Sequence, residues 1–418
     1  MAELKQQIQG LIGQESLCEV LKLTGKSVKQ AAVLLRPKKS DISGGFTSDA
    51  LLNSPDILFD MLAAVFQGWV IHGTVTPSLL ACAFLPLIKS STKDPADTAS
   101  YRAIVGSSLI MILFEKTVLL IWGDLLSTDT LQFGFKQGSS TTHCSWLVQE
   151  VVGHYLREGS HPLVVVLDCS KAFDLCKFDQ LFRSVLDKGL PPIIVRTLMF
   201  IYEEQYAWIR WGNTKSSMFP IRNGTRQGSI ASPSLWNVYL DPLIKALRSA
   251  GVGCHVGEVF LGVIDNGYAD NLILLAPKRA AASQMLGICE AWAKESNVLF
   301  STDPNPTKSK SKVIYMCGLQ RQLSKPAPLT LCGRSLPYVA SATHLGHELN
   351  ETGTMEYDTR IKRAQFISNS LEIRELFSFA SPAEVIRALK VYSCSFYGSN
   401  LWELGSNMAE KVYGTLQD

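Results

Sequence analysis

HPLVVVLDCSKAFD, residues 161–174, is the stretch that decides the reading. Leu163 to Leu167 is an unbroken run of Leu and Val. β-Branched side chains crowd a helix but pack well on a pleated surface, so the run predicts a strand buried on both faces. It ends on Asp168, which places an ionisable oxygen donor at the end of an apolar strand. Helical periodicity follows from Phe178 to Lys188 and stops at Gly189, with Pro191 and Pro192 beyond. About a hundred residues later, Val259 to Ile264, the turn-former Asp265-Asn266-Gly267 and Leu272 to Leu275 predict a hairpin with Asp270 near its tip. Adjacent strands lie ~4.8 Å apart, so acids ending neighbouring strands can share metal ions. Taken singly, each Asp is better read as a cap on a strand or turn.

The rest of the chain surrounds that core. Residues 1 to about 38 pattern as an amphipathic helix followed by the basic patch Arg36-Pro37-Lys38-Lys39, a solvated face. Leu51, Ile57, Leu58, Met61, Leu62, Val65 and Phe66 recur at helical spacing within Ser48 to Gly73, and Thr76-Pro77 ends that pattern. Leu79 to Ile88 is an apolar run ending at Lys89, followed by the polar loop SSTKDPADTAS and Tyr101-Arg102. Tyr206 to Trp211 alternates as a strand, Gly212 to Thr214 turns, and Ser216 to Ile221 returns. After the loop Asn223 to Ser229, Ser232-Pro233 starts a helix to about Leu247 with Pro242 inside it. Ala281 to Lys294 is helical, and the tail from Arg360 is mostly helix.

Composition bounds the function. The 418 residues are 46% hydrophobic and 18% charged, with a net charge of +3, which describes a globular chain. A grip on nucleic acid must then rest on local charge, and Ser301 to Lys325 holds five cations and one acid. The ten cysteines are scattered singly without CxxC spacing, which supports neither a zinc nor a redox motif and fits reduced intracellular thiols. MAELKQQIQGLIGQESLCEVLK lacks the apolar run of a signal peptide. Ile104 to Trp122 carries Glu115 and Lys116, so it predicts a buried helix rather than a membrane span. An intracellular protein of nucleus or cytoplasm is expected, with no membrane and no obligate protein partner. His344 and His347 read as a packed turn, because no further metal ligands stand near.

Five motifs in order then carry a resemblance. LDCSKAFD (167–174), TRQGSIASP (225–233), YADN (268–271) and NPTKSK (305–310) resemble motifs A, B, C and D of reverse transcriptases. Upstream, FLPLIK and YRAI, between Phe84 and Ile104, resemble the fingers motif. The order and spacing are similar to those of non-LTR (LINE-type) retrotransposon polymerases from about Gly44 onward, including HLGH (344–347) and YGSNLW.

The resemblance implies an α+β right-hand polymerase fold. Residues 1–43 form a helical extension, 44–160 the fingers, 161–318 the palm with an antiparallel sheet, and 319–418 a helical, thumb-like region. It implies an RNA-directed DNA polymerase using two Mg²⁺ ions, with Mn²⁺ as a substitute, and an RNA template, a DNA primer and dNTPs as partners. Asp168 and Asp270 are the metal ligands, joined by the Cys169 carbonyl. Lys89 and Arg102 clamp the triphosphate, and Phe173 excludes a ribose 2′-hydroxyl. Gln227 and Gly228 touch the nucleotide and template, and Lys308 is the general acid, with Lys310 and Lys312 as close rivals. Tyr202, Tyr206, Trp208 and Trp211 can stack on nucleic acid, although packing is the better reading for at least half of them. Asn271 stands where the family has a second Asp, which predicts activity lowered by orders of magnitude. Relatives of this type carry an endonuclease ahead of the polymerase. The boundaries therefore suggest an excised or decayed reading frame, and the alternative function is an inactive remnant that binds RNA or an RNA–DNA hybrid.

Overall fold

The computed structural model describes residues 1–42, 45–90, 93–170, 172–226, 228–265, 271–303, 305, 308–318, 323–393 and 399–402. The chain forms two compact units whose segments interleave: 1–129, 171–242 and 292–299 in the first, 130–170, 243–291 and 300–418 in the second. Helices and sheets mix in the α+β manner expected. No described helix is long and apolar enough to cross a membrane.

Helices dominate the first unit. The single helix expected over residues 1–38 is three: Ala2–Leu11, Gln14–Val20 and Gly25–Val33. A capping box restarts the third, with Ser27 N–H donating to Thr24 Oγ1 and Thr24 N–H to Ser27 Oγ. The pattern from Ser48 to Gly73 divides before Pro55 into Ser48–Leu52 and Asp56–His72. Phe66, Trp69 and Phe114 pack their rings at 5.1, 5.2 and 5.5 Å. The apolar run from Ile104 to Trp122 is not one helix. It is the end of strand Tyr101–Gly106 and then the helix Leu109–Trp122, because the Ser108 hydroxyl accepts from Ile110 N–H and starts the helix there. Pro192 does not merely stop the preceding helix; it opens Pro192–Glu203, where its missing N–H costs nothing.

The sheet of this unit centres on Ala81–Ile88, antiparallel to Tyr101–Gly106 and parallel to Tyr206–Trp211. Tyr206–Trp211 turns back as anticipated, but the return starts at Thr214 rather than Ser216 and is broken, pairing as Thr214–Lys215 and then as Phe219–Pro220.

The second unit is built on Leu163–Ser170, the Asp168 strand, of which only Ser170 is not buried. Asn271–Ala276 lies antiparallel beside it, with Val263–Asp265 antiparallel on the far edge of that strand. Lys312–Tyr315 pairs with the other edge of the Asp168 strand. One face of this sheet, carrying Val164, Val166, Ile273 and Ile314, packs on Cys144, Val148, Val151 and Val152 of the helix Thr141–Arg157. The hairpin expected between Val259 and Leu275 is present from Val263, while Val259–Phe260 pairs with His255–Val256 instead.

Of the region 319–418, expected to be helical, the described residues form the helices Glu356–Leu376 and Pro382–Tyr392. Before it lie two tight hairpins. Their central residues, Cys332-Gly333 and Leu345-Gly346, all have positive φ, as a connection matched to strand twist requires.

Leu274 is fully buried and pairs with Val165 on one side and Val263 on the other. Leu274→Ala should cost about 3 kcal/mol, measured by urea unfolding of the chain, because the cavity opens between strands that cannot collapse into it.

Candidate active site

Asp168 is the sixth residue of its strand. The antiparallel register sets Asn271 directly across from it. On the other edge Lys312 faces Val166, and Lys310, just outside that paired strand, reaches Asp168 with its side chain. Directly opposed residues project from the same face. Asp168 is thus flanked by an amide and an ammonium, with Lys310 Nζ 3.4 Å from Oδ1 and 3.5 Å from Oδ2.

Both polar backbone groups of Asp168 are held on the edge away from Asn271. Asp168 N–H donates to Ser311 Oγ at 3.2 Å, and the Asp168 carbonyl accepts from Ser301 N–H at 2.8 Å. Ser311 N–H donates to the Ser301 carbonyl at 3.1 Å, and the Ser309 hydroxyl to the Ser311 carbonyl at 2.7 Å. Serines in a basic loop gave no sign of this; only the pairing register exposes it.

Asp168 is 7% exposed, and its Oδ1 accepts no hydrogen bond from the described residues. Burial pushes the carboxyl above the usual carboxylate range, and Lys310 draws it back only in part, its own side chain being 66% exposed. A desolvated carboxylate with an unfilled oxygen suits a hard cation. The Asn271 amide oxygen and the Cys169 carbonyl are further hard donors at this strand end. Asp270 lies outside the described residues. Among the described residues no three His, Cys, Asp or Glu side chains gather as a metal cluster. His344 and His347 are buried in their hairpin, and burial together with His347 lowers His344 to about 3, which fits the packed turn expected.

Lys308 is exposed in a turn whose N–H donates to the Asn305 carbonyl at 3.0 Å, and Lys312 lies within its strand. Of the three rival lysines, Lys310 is the one the structure sets against Asp168.

A second cluster belongs to the first unit. Lys89 and Arg102 are exposed at one end of a hairpin in which Ile88 faces Tyr101 and Leu87 faces Arg102. Lys89 Nζ donates to the Ala99 carbonyl at 2.7 Å. Gly228 has φ +108°, and a Cβ there would lie 2.9 Å from the Val105 carbonyl, so only glycine fits. Gln227 lies outside the described residues. Phe173 is half-buried with its ring 5.7 Å from that of Trp236, and its carbonyl accepts from Thr225 N–H at 2.6 Å.

Two residues of this cluster had no role assigned from sequence. Arg226 Nη2 meets Glu115 Oε1 at 2.8 Å, both side chains being buried, and the Ser229 hydroxyl donates to Glu115 Oε2. Burial opposes the Arg226 charge, but the facing carboxylate and its neighbours outweigh it and leave the pKa above its ordinary value. The available signal was Glu115 itself, since an acid in an otherwise apolar helix requires a buried partner. Of the aromatics, Tyr202 is core, half-buried Tyr206 donates its hydroxyl to the Pro77 carbonyl, and Lys215 lies over the Trp208 ring at 5.6 Å. Trp211 is exposed beside Tyr101.

A raised folded-state pKa means that the Asp168 charge opposes folding. The stability it leaves intact is fully present below the ordinary aspartate value of 3.8 and is lost as pH rises through the folded value. Asp168→Asn should therefore raise the melting temperature at neutral pH in chelator-treated protein. The gain should fade toward pH 3.8 in a series of melts.

Residues 92–325 match the reverse transcriptase (RNA-dependent DNA polymerase) family. The chain is 25% identical over 297 residues to a putative 115 kDa protein in type-1 retrotransposable element R1DM of Drosophila melanogaster, covering 69% of this chain and 26% of the relative. It is 24% identical over 392 residues to a probable RNA-directed DNA polymerase from transposon BS of Drosophila melanogaster, covering 88% and 40%. With an RNA-directed DNA polymerase from mobile element jockey of Drosophila funebris it shares 21% identity over 385 residues, covering 89% and 40%. The chain thus spans about a quarter to two fifths of the length of these relatives. The likeness to retrotransposon polymerases implied by the five motifs is upheld. With more than half of its length matched, this chain belongs to the reverse transcriptase (RNA-dependent DNA polymerase) family.

Proposed function

We propose that the chain is the RNA-directed DNA polymerase of a non-LTR retrotransposon, extending a DNA primer with dNTPs on an RNA template, and that Asn271 weakens it. The observation that carries this reading is the buried Asp168 carboxylate at a strand end with Asn271 in register beside it.

Asp168, Asp270 and the Cys169 carbonyl would hold two Mg²⁺ ions, with Mn²⁺ as a substitute. When bound, such ions supply activation of the primer 3′-hydroxyl and neutralisation of the pyrophosphate. The chain's own groups do the rest. Lys89 and Arg102 hold the triphosphate, Lys as a point charge and Arg by its fork. Phe173 rejects a ribose 2′-hydroxyl by clash. Gln227 and Gly228 meet the nucleotide and template. A lysine protonates the leaving pyrophosphate, and its contact with Asp168 favours Lys310 over Lys308. The cations of Ser301 to Lys325 suit a phosphate backbone. In this reading 44–160 are fingers, 161–318 palm and 319–418 thumb, 1–43 being an extension, and the protein works inside the cell, in nucleus or cytoplasm.

Asn271 keeps one carbonyl oxygen and loses a full negative charge opposite Asp168. Weaker metal occupancy follows, and with it a lower rate. That same amide favours a second reading, in which the chain only binds RNA or an RNA–DNA hybrid.

Primer extension on an RNA template in Mg²⁺ and then Mn²⁺ separates the two. Wild type should extend, about a hundredfold slower than Asn271→Asp, and Asp168→Ala should be inert. If wild type matches Asp168→Ala while Asn271→Asp copies template, the chain is a binding remnant. An inert Asn271→Asp would refute the site assignment itself.

A further inference from the structure

We propose that Glu115 and Arg226 are positioning residues of this polymerase, a buried staple that fixes Arg226 and Ser229 and, through the adjoining Thr225, Phe173. The inference rests on the reading above, in which Phe173 discriminates the sugar.

Glu115 sits in Leu109–Trp122, a helix whose other buried residues are all apolar except Thr117. Burying an ion pair this deeply usually costs as much as it returns, and apolar replacements are often as stable. Stability alone is therefore a weak reason for the pair. Its geometry gives a better one. Ser229 N–H donates to the Arg226 carbonyl at 3.0 Å. The side chains of these two residues bind the same carboxylate, Arg226 on Oε1 and Ser229 on Oε2. Arg226 is held again by Nη1 donating to Cys82 Sγ at 3.4 Å, and its guanidinium lies 5.6 Å from the Tyr202 ring centroid.

The N-terminal side of the loop is tied to the segment bearing Phe173. Gly224 N–H donates to the Cys176 carbonyl at 2.8 Å, and Thr225 N–H to the Phe173 carbonyl at 2.6 Å. A Cβ on Gly224 would lie 2.8 Å from both the Phe173 and Asp174 carbonyls. A continuous connection thus runs from Glu115 through Arg226 and Thr225 to the Phe173 backbone. A gate that rejects by clash works only if it cannot retreat, so the rigidity of this path sets how well a ribose is refused.

The test compares wild type, Glu115→Gln and the doubly apolar Glu115→Met with Arg226→Met, which keeps the interior filled. Hydrogen exchange of the loop amides is read beside that of the helix Leu109–Trp122. Primer extension in Mn²⁺ gives KM and kcat for a dNTP and its ribose counterpart. In both variants loop exchange should quicken about tenfold while the helix stays protected. The dNTP KM should rise about tenfold with kcat within about threefold, and the preference for dNTP over rNTP should fall. Unchanged loop exchange overturns the proposal. So does a loosened loop with KM and sugar preference intact, which is what a purely structural pair would give. If wild type extends no primer, the polymerase reading fails, and loop exchange still decides whether the staple exists.

Discussion

Strands buried on both faces pack shaped side chains into a close-packed layer on either side, so a shift of register would misfit both layers at once. Leu163–Ser170 and Asn271–Ala276 are such a pair, so their register is not negotiable. Once Leu274 faces Val165 and Leu272 faces Leu167, Asn271 must face Asp168. On the other edge Ser301 meets the Asp168 backbone, and the Lys310 side chain reaches the carboxylate from just outside the paired strand Lys312–Tyr315. The polar groups at this sheet end are where they are because of the grease behind them. Asp265 faces Leu272, one residue out of phase with the Asp168–Asn271 pair, so the register does not offer it in place of the missing acid.

Two buried carboxylates show how the fold treats charge in opposite ways. Glu115 is fully answered, by a guanidinium and a hydroxyl, within a unit that holds it nearly free of solvent. Among the described residues the Asp168 carboxylate is met by one ammonium, that of the mostly exposed Lys310, and burial keeps its proton affinity high. A satisfied buried charge fixes structure, whereas an unsatisfied one is poised for a cation. Replacing a facing acid by Asn271 eases repulsion between adjacent carboxylates in the absence of metal, at the expense of attraction for a divalent ion.

The parts legible in the sequence were those governed by local rules. The Asp168 strand announced itself through consecutive Val residues, the hairpin through its turn-former, and the Ser232–Ala250 helix through Ser232-Pro233. What stayed hidden depends on distant partners. Lys308, Lys310 and Lys312 alternate along one basic segment, and only the folded contact with Asp168 singles out Lys310. Glu115 and Arg226 are more than a hundred residues apart, and nothing near either names the other. The three N-terminal helices read as one because apolar periodicity survives across Gly13 and Thr24, and the hairpins at 330–350 were hidden by their two-residue turns.

Titration of Mn²⁺ into wild type, Asn271→Asp and Asp168→Ala, followed by the spin resonance of the free ion, tests the central claim without needing catalysis. Wild type should bind Mn²⁺ about tenfold or more weakly than Asn271→Asp, and Asp168→Ala should lose the site. Equal Mn²⁺ affinity in all three proteins would contradict the account, since neither the carboxylate at 168 nor the charge at 271 would then govern the cation.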